Sequence, residues 1–368
     1  EPSFILIYAR LNVAIERTNV VNEGMRLAVF ETGNPEGEPI VLVHGWPDTH
    51  ELWSHIVPLL AEKFRVISYD SRGAGASTVP QERAAYRLSS LASDFYAVID
   101  AVSPDRPVHV LAIDWGAVEV WEAAGEPRAV DRIRSYTSIS GPNLDHLGKW
   151  SRSRLKKPTW TSIKQVLAQT RASWYTVTFH IPGLSTLRIK RQFAKGWPAF
   201  LEEFSDVDPA LVTQNPTLWS DATNGTNLYR ANIIPRLMKP RERYIDIPVQ
   251  LIVNTEDVAV RPFHYEDTGK WVKNLTRNDI PAGHWSPISH AAEIAELTEN
   301  YIDSMTRGDQ STEAQISASS TRISRRFGKK PAVRRLDTRQ SGTARCGRPV
   351  VTTFDLVNTD LVATGFAQ

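Results

Sequence analysis

The segment VHVLAIDWGAVEVWE, residues 108–122, is the strongest indication of the fold in this sequence. Its first part, Val108 to Ile113, is an uninterrupted apolar run that predicts a buried strand. The run ends at Asp114, and a helical pattern begins at once with Gly116. The small residues Ala112 and Gly116 flank the acid two positions away on each side, as a tight strand-to-helix turn requires, because bulky neighbours would clash there. The sequence therefore predicts an elbow with an aspartate at its tip.

The carboxylate at the tip of this elbow, Asp114, has two interpretations. A carboxylate has a reference pKa of about 3.9, so it is ionised at pH 7 and can attack carbon and form an ester without an activating base. That chemistry suits epoxides or alkyl halides rather than amides. Alternatively, the side chain caps the helix that follows it. The elbow alone does not decide between the two.

Two other motifs precede the elbow. VLVHGWPD (41–48) is an apolar strand that ends in His44-Gly45-Trp46-Pro47, and ISYDSRGAGAS (67–77) is a strand that ends in a glycine-rich turn. The three motifs in this order and spacing resemble the α/β-hydrolase superfamily, specifically its epoxide hydrolase and haloalkane dehalogenase branch. The resemblance covers about residues 20–306. It is closest to the hydrolase half of actinobacterial proteins in which a short-chain dehydrogenase follows an epoxide hydrolase.

Strands that alternate with helical patterns predict an α/β fold with a mostly parallel, doubly wound sheet. The predicted strands are 24–31, 40–44, 65–69, 107–113, 132–140, 248–253 and 275–280, and the predicted helices include 88–102 and 291–305. Residues 20–147 and 246–306 are expected to form the hydrolase core, and 148–245 an inserted helical cap. Residues 307–368 are expected to be a basic tail, disordered or degenerate, because they lack Trp, Tyr and a sustained period. They contain no glycine-rich dinucleotide loop, so no dehydrogenase is inferred.

The composition of the chain fits one large domain or two smaller ones. The 368 residues are 41% hydrophobic and carry a net charge of +2, with a surplus of +5 from Gly308 onward and −3 before it. No basic field therefore points to a nucleic acid partner. The single cysteine, Cys346, excludes an intrachain disulfide and is compatible with a reducing compartment. No apolar run reaches the length of a membrane span, so a cytoplasmic protein without stable membrane insertion is expected.

The resemblance implies a catalytic triad around Asp114. His284, in IPAGHWSP, follows the predicted last strand, where the superfamily has its catalytic histidine. The alternative is a loop histidine that makes local hydrogen bonds. The implied orienting acid is Asp257 in LIVNTEDVAV, and its neighbour Glu256 is the main competitor. The order nucleophile, acid, histidine is that of this fold. By the same resemblance, His44 shapes its loop and does not act as a base.

The resemblance also implies groups that stabilise charge. The backbone N–H groups of Trp46 and Trp115 are expected to form an oxyanion hole for the ester. Tyr175, in SWYTVTFHIPG, and Tyr229, in TNLYRANI, are expected to project from the cap and protonate an epoxide oxygen. Taken singly, a cap tyrosine is more often a packing residue than a catalytic one, but two of them in the expected order favour the catalytic interpretation. Dehalogenases of this branch usually hold the halide with Asn at position 46 or place Arg at position 115, and both positions are Trp here.

These features predict an epoxide hydrolase that converts an apolar epoxide to a vicinal diol through a covalent ester on Asp114. The expected partners are a small apolar epoxide and water, with a homodimer left open and no cofactor or metal. Two alternatives remain: a haloalkane dehalogenase, and a non-catalytic protein of the same fold that binds a ligand. The second is suggested by Ile113, since relatives commonly have histidine at that position.

Overall fold

The computed structural model describes residues 15–156, 158–181, 183–213 and 215–305, so the predicted tail (307–368, with Cys346) lies outside the described residues. Within these ranges the strands are β1 (Glu16–Asn22), β2 (Met25–Gly33), β3 (Pro39–Val43), β4 (Arg65–Tyr69), β5 (Val108–Ile113), β6 (Ile133–Ile139), β7 (Val249–Asn254) and β8 (Leu275–Ile280). They form one sheet in the order β1-β2-β4-β3-β5-β6-β7-β8. The β1–β2 and β2–β4 pairs are antiparallel and the others are parallel, as the predicted fold class requires.

The helices cover both faces of this sheet. They are α1 (Val57–Leu60), α2 (Leu88–Val102), α3 (Asp114–Ala124), α4 (Ala129–Arg132), α5 (Leu144–Lys156), α6 (Trp160–Phe179), α7 (Leu184–Gln192), α8 (Trp197–Ser205), α9 (Leu218–Met238), α10 (Ser286–Ser289) and α11 (291–305). Short 3-10 helices lie at His50–Trp53, Arg83–Tyr86, Pro209–Leu211, Pro262–Tyr265 and Thr268–Lys270. The helix α2 has the predicted bounds, whereas α3 begins at Asp114 and not at Gly116.

The central strands are apolar along their whole length because both of their sides are covered. Every residue of β3 and of β5 is buried, which is typical of parallel strands packed between two layers of helices. Successive side chains point to opposite faces, so Ile40 and Leu42 join one hydrophobic cluster and Val41 and Val43 join the other. The two hydrophobic clusters therefore lie on opposite faces of the sheet, and the strands that lead into the elbow separate them.

The strand β1 was not predicted from the sequence. Its residues, ERTNVVN, are mostly exposed, because β1 is an edge strand and buries little of its surface. It pairs with β2 through a two-residue hairpin in which Glu23 and Gly24 both have positive φ, 47° and 75°. That conformation matches the twist of the two strands. Backbone pairing thus forms a strand where the apolar pattern is weak.

The helices α5 to α9, which we call the inserted helices, lie between β6 and β7 in the chain. They run from Leu144 to Met238, so the first helix begins before the predicted insertion of 148–245 and the last one ends before it does. In the described residues, no helix combines the length and the apolarity needed to cross a membrane.

A cluster of buried acids fastens the inserted helices to the sheet domain. Glu122 in α3 and Asp145 in α5 both bind Arg241, at 2.5 Å and 2.6 Å. Arg236, in the last turn of α9, lies 3.1 Å from Glu122, and Arg243 lies 3.0 Å from it. The elbow helix and both ends of the insertion therefore meet at one set of ion pairs.

A second buried ion pair, between Arg72 and Asp94, fixes the loop after β4. Both side chains are almost completely buried, and the guanidinium donates to the two carboxylate oxygens at 2.5 Å and 2.7 Å. Arg72 also donates to the carbonyl oxygens of Ala85 and Ser90. Burial raises the pKa of Asp94 more than Arg72 and Asn22 lower it, so the ionised carboxylate depends on these partners.

We predict that Asp94→Asn lowers the free energy of unfolding by about 3 kcal/mol, because it leaves the buried Arg72 guanidinium with only the half-exposed carboxylate of Glu23, 3.3 Å away, as a counter-charge. The matched control is Asp100→Asn. Asp100 is half exposed and pairs with Arg132 at 3.0 Å, so this change should cost less than about 1 kcal/mol. Urea unfolding of both variants measures the difference, and equal losses would contradict the prediction.

Candidate active site

The backbone at Asp114 is strained. It has a φ of 50° between β5 and α3, in the left-handed region that side chains other than glycine rarely adopt. Close packing holds it there: a Cβ on Gly116 would lie 2.3 Å from the carbonyl oxygen of His44 and 2.5 Å from that of Val43. A Cβ on Gly141 would lie 2.3 Å from the carbonyl oxygen of Asp114 itself. The predicted elbow is therefore present, and glycines allow the chain to pass close on both sides.

The side chain of Asp114 does not cap the helix that follows. The helix α3 begins at Asp114, its N-cap residue is Ile113, and no side chain makes a capping hydrogen bond there. The carboxylate turns instead to another loop, where its Oδ1 accepts a hydrogen bond from the backbone N–H of Trp46 at 2.9 Å. The capping interpretation of Asp114 is therefore wrong. The buried Ile113 leaves the elbow backbone intact.

The two predicted oxyanion donors lie on either side of the carboxylate. The Trp46 N–H already binds Oδ1, and this requires glycine at position 45, because a Cβ there would lie 2.5 Å from the Cβ of Asp114. Trp115 is in the first turn of α3. Backbone N–H groups in a first turn have no acceptor within the helix. The Trp46 N–H thus donates to the carboxylate of Asp114, and the Trp115 N–H lies next to that carboxylate at the start of α3.

His284 and Asp257 lie beside Asp114 at the carboxyl ends of β8 and β7. The Nδ1 of His284 is 2.7 Å from Oδ2 of Asp257, and its Nε2 is 3.5 Å from Oδ2 of Asp114. The other oxygen of Asp257 accepts hydrogen bonds from the backbone N–H groups of Ala259 and Val260. Glu256, the competing candidate for the orienting acid, is exposed, and no contact with His284 is found for it in the described part of the chain.

The charges of the three groups are coupled. Burial lowers the pKa of His284, but the negative charges of Asp257 and Asp114 and the hydrogen bonds to them outweigh burial and hold this pKa above its ordinary value. Burial raises the pKa of Asp257, and the charge of His284, its hydrogen bond and the Val260 N–H outweigh burial and hold this pKa below the usual range. His284 is therefore charged when both carboxylates are ionised.

His44 is held away from this chemistry. Its Nε2 accepts a hydrogen bond from the backbone N–H of Ser71 at 3.0 Å, so its Nδ1 carries the proton that is donated to the carbonyl oxygen of Gly45 at 2.8 Å. Burial lowers its pKa and favours the neutral ring. Both ring nitrogens thus serve to join two loops, as the sequence predicted for this residue.

A cavity lies over the elbow, between the sheet domain and the inserted helices. Asp114 and His284 line it together with Tyr229 of α9. The ring of Tyr229 is buried and packs edge-on against Trp115, with centroids 4.8 Å apart, and against Trp46 at 5.5 Å. The backbone of Tyr175 lies in α6, but its side chain is outside the described residues.

The comparison with protein families agrees with this architecture. The profile of the alpha/beta hydrolase fold matches residues 38–291. The chain belongs to the alpha/beta hydrolase fold family. The predicted recognition and fold class are thereby confirmed.

Several relatives of this hydrolase are known by name. The protein called probable oxidoreductase EphD, from Mycobacterium tuberculosis, is 40% identical over 312 residues, which are 83% of this chain and 52% of the relative. Epoxide hydrolase A from the same organism is 36% identical over 126 residues, 34% of this chain and 38% of the relative. The chain thus spans about half the length, or less, of these curated relatives.

Solved structures share the fold of this hydrolase. A mutant epoxide hydrolase from Bacillus megaterium, crystallised with its product, has a TM-score of 0.63 at 19% identity and covers 78% of this chain and 100% of its own. An epoxide hydrolase from Vigna radiata has a TM-score of 0.62 at 20% identity and covers 79% of this chain and 98% of its own. At these identities the likeness is one of fold.

The sequence did not reveal every polar residue at the hydrolase cavity. His264 is buried on the cavity wall, burial lowers its pKa to about 4, and neither ring nitrogen has a hydrogen-bond partner among the described residues. Arg188 also lines the cavity. Asp48 accepts a hydrogen bond from the Trp285 indole next to His284, at 2.8 Å. Of these, only the positions of Asp48 and Trp285, each within a motif, gave a signal in the sequence.

The cavity is built without a metal centre among the residues that the structure describes, where no group of three or more His, Cys, Asp or Glu side chains could hold an ion.

We predict that Asp257→Asn lowers the pKa of His284 by about 1–3 pH units, because an adjacent negative charge favours the imidazolium and its removal leaves only Asp114 to oppose burial. The titration of the His284 ring proton, followed by NMR and assigned by its loss in His284→Gln, measures the change. Glu256→Gln is the matched control, since it removes an exposed charge one residue away. An unchanged midpoint in Asp257→Asn would mean that this carboxylate does not hold the proton.

Proposed function

We propose that this hydrolase is an epoxide hydrolase that forms a covalent ester on Asp114. The observation that carries the proposal is the position of an aspartate at the elbow tip, 3.5 Å from a histidine whose other nitrogen binds a buried acid. An aspartate nucleophile forms an ester, and a paired histidine allows water to hydrolyse it. The names of the relatives, epoxide hydrolase A among them, support the same reaction. The name oxidoreductase belongs to a relative of which this chain matches about half the length.

In the first step, Oδ2 of Asp114 attacks an epoxide carbon and the carbon–oxygen bond of the epoxide breaks. The N–H of Trp46 holds Oδ1 at 2.9 Å, so the other oxygen is left to attack. The leaving oxygen would be an alkoxide, which is a poor leaving group unless it receives a proton. Tyr229 on the cavity wall, together with Tyr175, is the proposed donor of that proton.

In the second step, His284 takes a proton from water, and the hydroxide adds to the ester carbon of Asp114. The negative charge then develops on Oδ1, where the N–H groups of Trp46 and Trp115 are expected to stabilise it. Esterification also removes one of the two negative charges that raise the pKa of His284. The pKa of His284 is therefore lower after the first step, and a larger fraction of the ring is neutral and able to accept a proton. Collapse of the intermediate breaks the bond between the Asp114 carboxyl carbon and Oδ2, and the departing alkoxide takes the proton from His284. The proton left on the new carboxyl group returns to the tyrosine phenolate, so the diol is released and the carboxylate, the neutral histidine and the tyrosine are restored.

The cavity favours an apolar substrate. Aromatic rings of Trp46, Trp115 and Tyr229 surround the elbow, and Phe200 and Phe204 of α8 line the same space. Apolar lining with a few polar groups is typical of small-molecule sites. The proposed product is a vicinal diol, and the reaction needs water as its only other reactant.

We predict that His284→Gln forms the ester but does not release diol, because only the hydrolysis step needs the base. Incubation with styrene oxide should add the mass of one substrate to the intact protein, and digestion should locate it on Asp114. His290→Gln, six residues away, is the matched control and should turn over normally without a lasting adduct. Turnover by His284→Gln at the wild-type rate would contradict the assignment of the base.

A second prediction distinguishes epoxides from halides. The double change Tyr175→Phe and Tyr229→Phe removes both proposed acids and keeps the rings, so turnover of styrene oxide should fall by roughly 10²–10⁴. A chloroalkane leaves without a proton, so any turnover of it should change far less. The control is Tyr96→Phe, whose buried hydroxyl binds the carbonyl oxygen of Ala123 away from the cavity. Near-normal epoxide turnover in the double variant would exclude these tyrosines.

A further inference from the structure

The first three inserted helices carry an unbalanced charge. Residues 146–201 contain 11 Lys and Arg and no Asp or Glu, whereas the rest of the chain contains 32 basic and 41 acidic residues. Lys156, Lys164, Lys190 and Arg191 are exposed, and no ion pair is found for them within the ranges that the structure describes. A basic surface therefore lies on a chain whose other residues sum to a negative charge.

The same helices expose large apolar side chains. Trp160, Ile163 and Leu167 of α6 are 76%, 38% and 63% exposed. Their spacing of three and seven residues places them on one face of that helix. Leu155 at the end of α5 and Leu187 of α7 are also more than half exposed. An exposed tryptophan with leucines beside it is unusual for a surface that faces only water.

We propose that this surface, which we call the basic apolar face (the exposed residues of α5, α6 and α7), docks on a bilayer that contains anionic phospholipid. Amphipathic helices that lie in a membrane interface combine Lys and Arg with Trp and Leu in this way. The basic side chains are attracted by the lipid headgroups, and Trp160 and Leu167 enter the boundary between headgroups and acyl chains. These 56 residues contain no acid, and two acids that lie against them, Glu266 and Asp267, pair with Arg154 of α5.

Two other occupants fit the face less well. A nucleic acid would pair with the basic residues, but it offers little to leucine and isoleucine side chains. A second copy of this chain would bring two positive faces together, and like charges across an interface are strongly unfavourable. An anionic bilayer matches both the charge and the apolar side chains.

The opposite sides of the same helices line the active-site cavity. Gln169 and Thr176 of α6 and Arg188 and Gln192 of α7 border the cavity. If the outer sides of these helices rest on lipid, their inner sides still border the cavity. A compound dissolved in the bilayer then has a short path to Asp114. That consequence rests on the proposed function, whereas the docking itself does not.

The test is flotation of the full chain with vesicles of equal parts phosphatidylglycerol and phosphatidylcholine, against vesicles of phosphatidylcholine alone. The protein should float with the anionic vesicles, and high salt should release it. Trp160→Ser with Leu167→Ser should weaken binding about tenfold or more, since two buried apolar side chains are lost. Lys156→Gln with Lys190→Gln should weaken it by a similar factor.

The matched control is Val21→Ser with Lys273→Gln, which changes one exposed apolar and one exposed basic residue elsewhere, and it should bind as the wild type does. Equal binding to both kinds of vesicle, or none to either, would overturn the proposal. A wild-type dimer that Trp160→Ser with Leu167→Ser converts to monomer, with no vesicle binding, would also overturn it. So would displacement of the protein from vesicles by an oligonucleotide that binds the wild type and this double variant equally.

A second measurement separates this proposal from the proposed function. Anionic vesicles should raise the hydrolysis of a long-chain lipid epoxide several-fold in the wild type but not in Trp160→Ser with Leu167→Ser, and both proteins should hydrolyse styrene oxide in water equally. Vesicle binding without hydrolysis of any epoxide would leave docking supported and would exclude the epoxide hydrolase. Hydrolysis of styrene oxide without vesicle binding would support the epoxide hydrolase and would exclude docking on the bilayer.

Discussion

The left-handed backbone of Asp114 is the constraint on which the site depends. Such a conformation costs a residue with a side chain roughly 1–2 kcal/mol, so it persists only where the surrounding chain prevents relaxation. Here the fully buried β5 enters the turn, α3 leaves it, and Gly116 and Gly141 let neighbouring backbone pass within contact distance. A relaxed turn would direct the carboxylate along α3 as a cap. The strained turn directs it toward Trp46 and His284.

The parallel sheet brings the charged groups to that carboxylate. Asp114, Asp257 and His284 follow β5, β7 and β8, and the carboxyl ends of parallel strands lie at the same edge of the sheet. Burial makes each charge costly alone, and the arrangement of acid, imidazolium and acid satisfies all three.

The sequence predicted the central strands and α2 closely because those segments are buried, and burial imposes a readable apolar pattern. It did not predict β1, which is an edge strand held by backbone pairing. The inserted helices begin at Leu144 and end at Met238, and the ion pairs with Glu122 and Asp145 near these ends leave no periodicity in the sequence. The resemblance favoured Asp257 over its neighbour Glu256, whereas no pattern in the sequence shows in which direction each of two adjacent side chains points. The chain-wide charge balance likewise concealed a segment with eleven basic residues and no acid.

Trp46 connects the two layers of the molecule in a single residue. Its backbone N–H binds Asp114, and its indole N–H binds the carbonyl oxygen of Ala222 in α9 at 3.0 Å. The indole fits there because position 225 is glycine, where a Cβ would lie 2.1 Å from the ring. In a chimera with inserted helices from another hydrolase, the Asp114 carboxylate would therefore be misaligned unless Trp46 were transferred together with the part of α9 that it contacts. An engineer who exchanges the inserted helices must therefore also exchange the loop after β3, although that loop lies far from the inserted helices in the sequence.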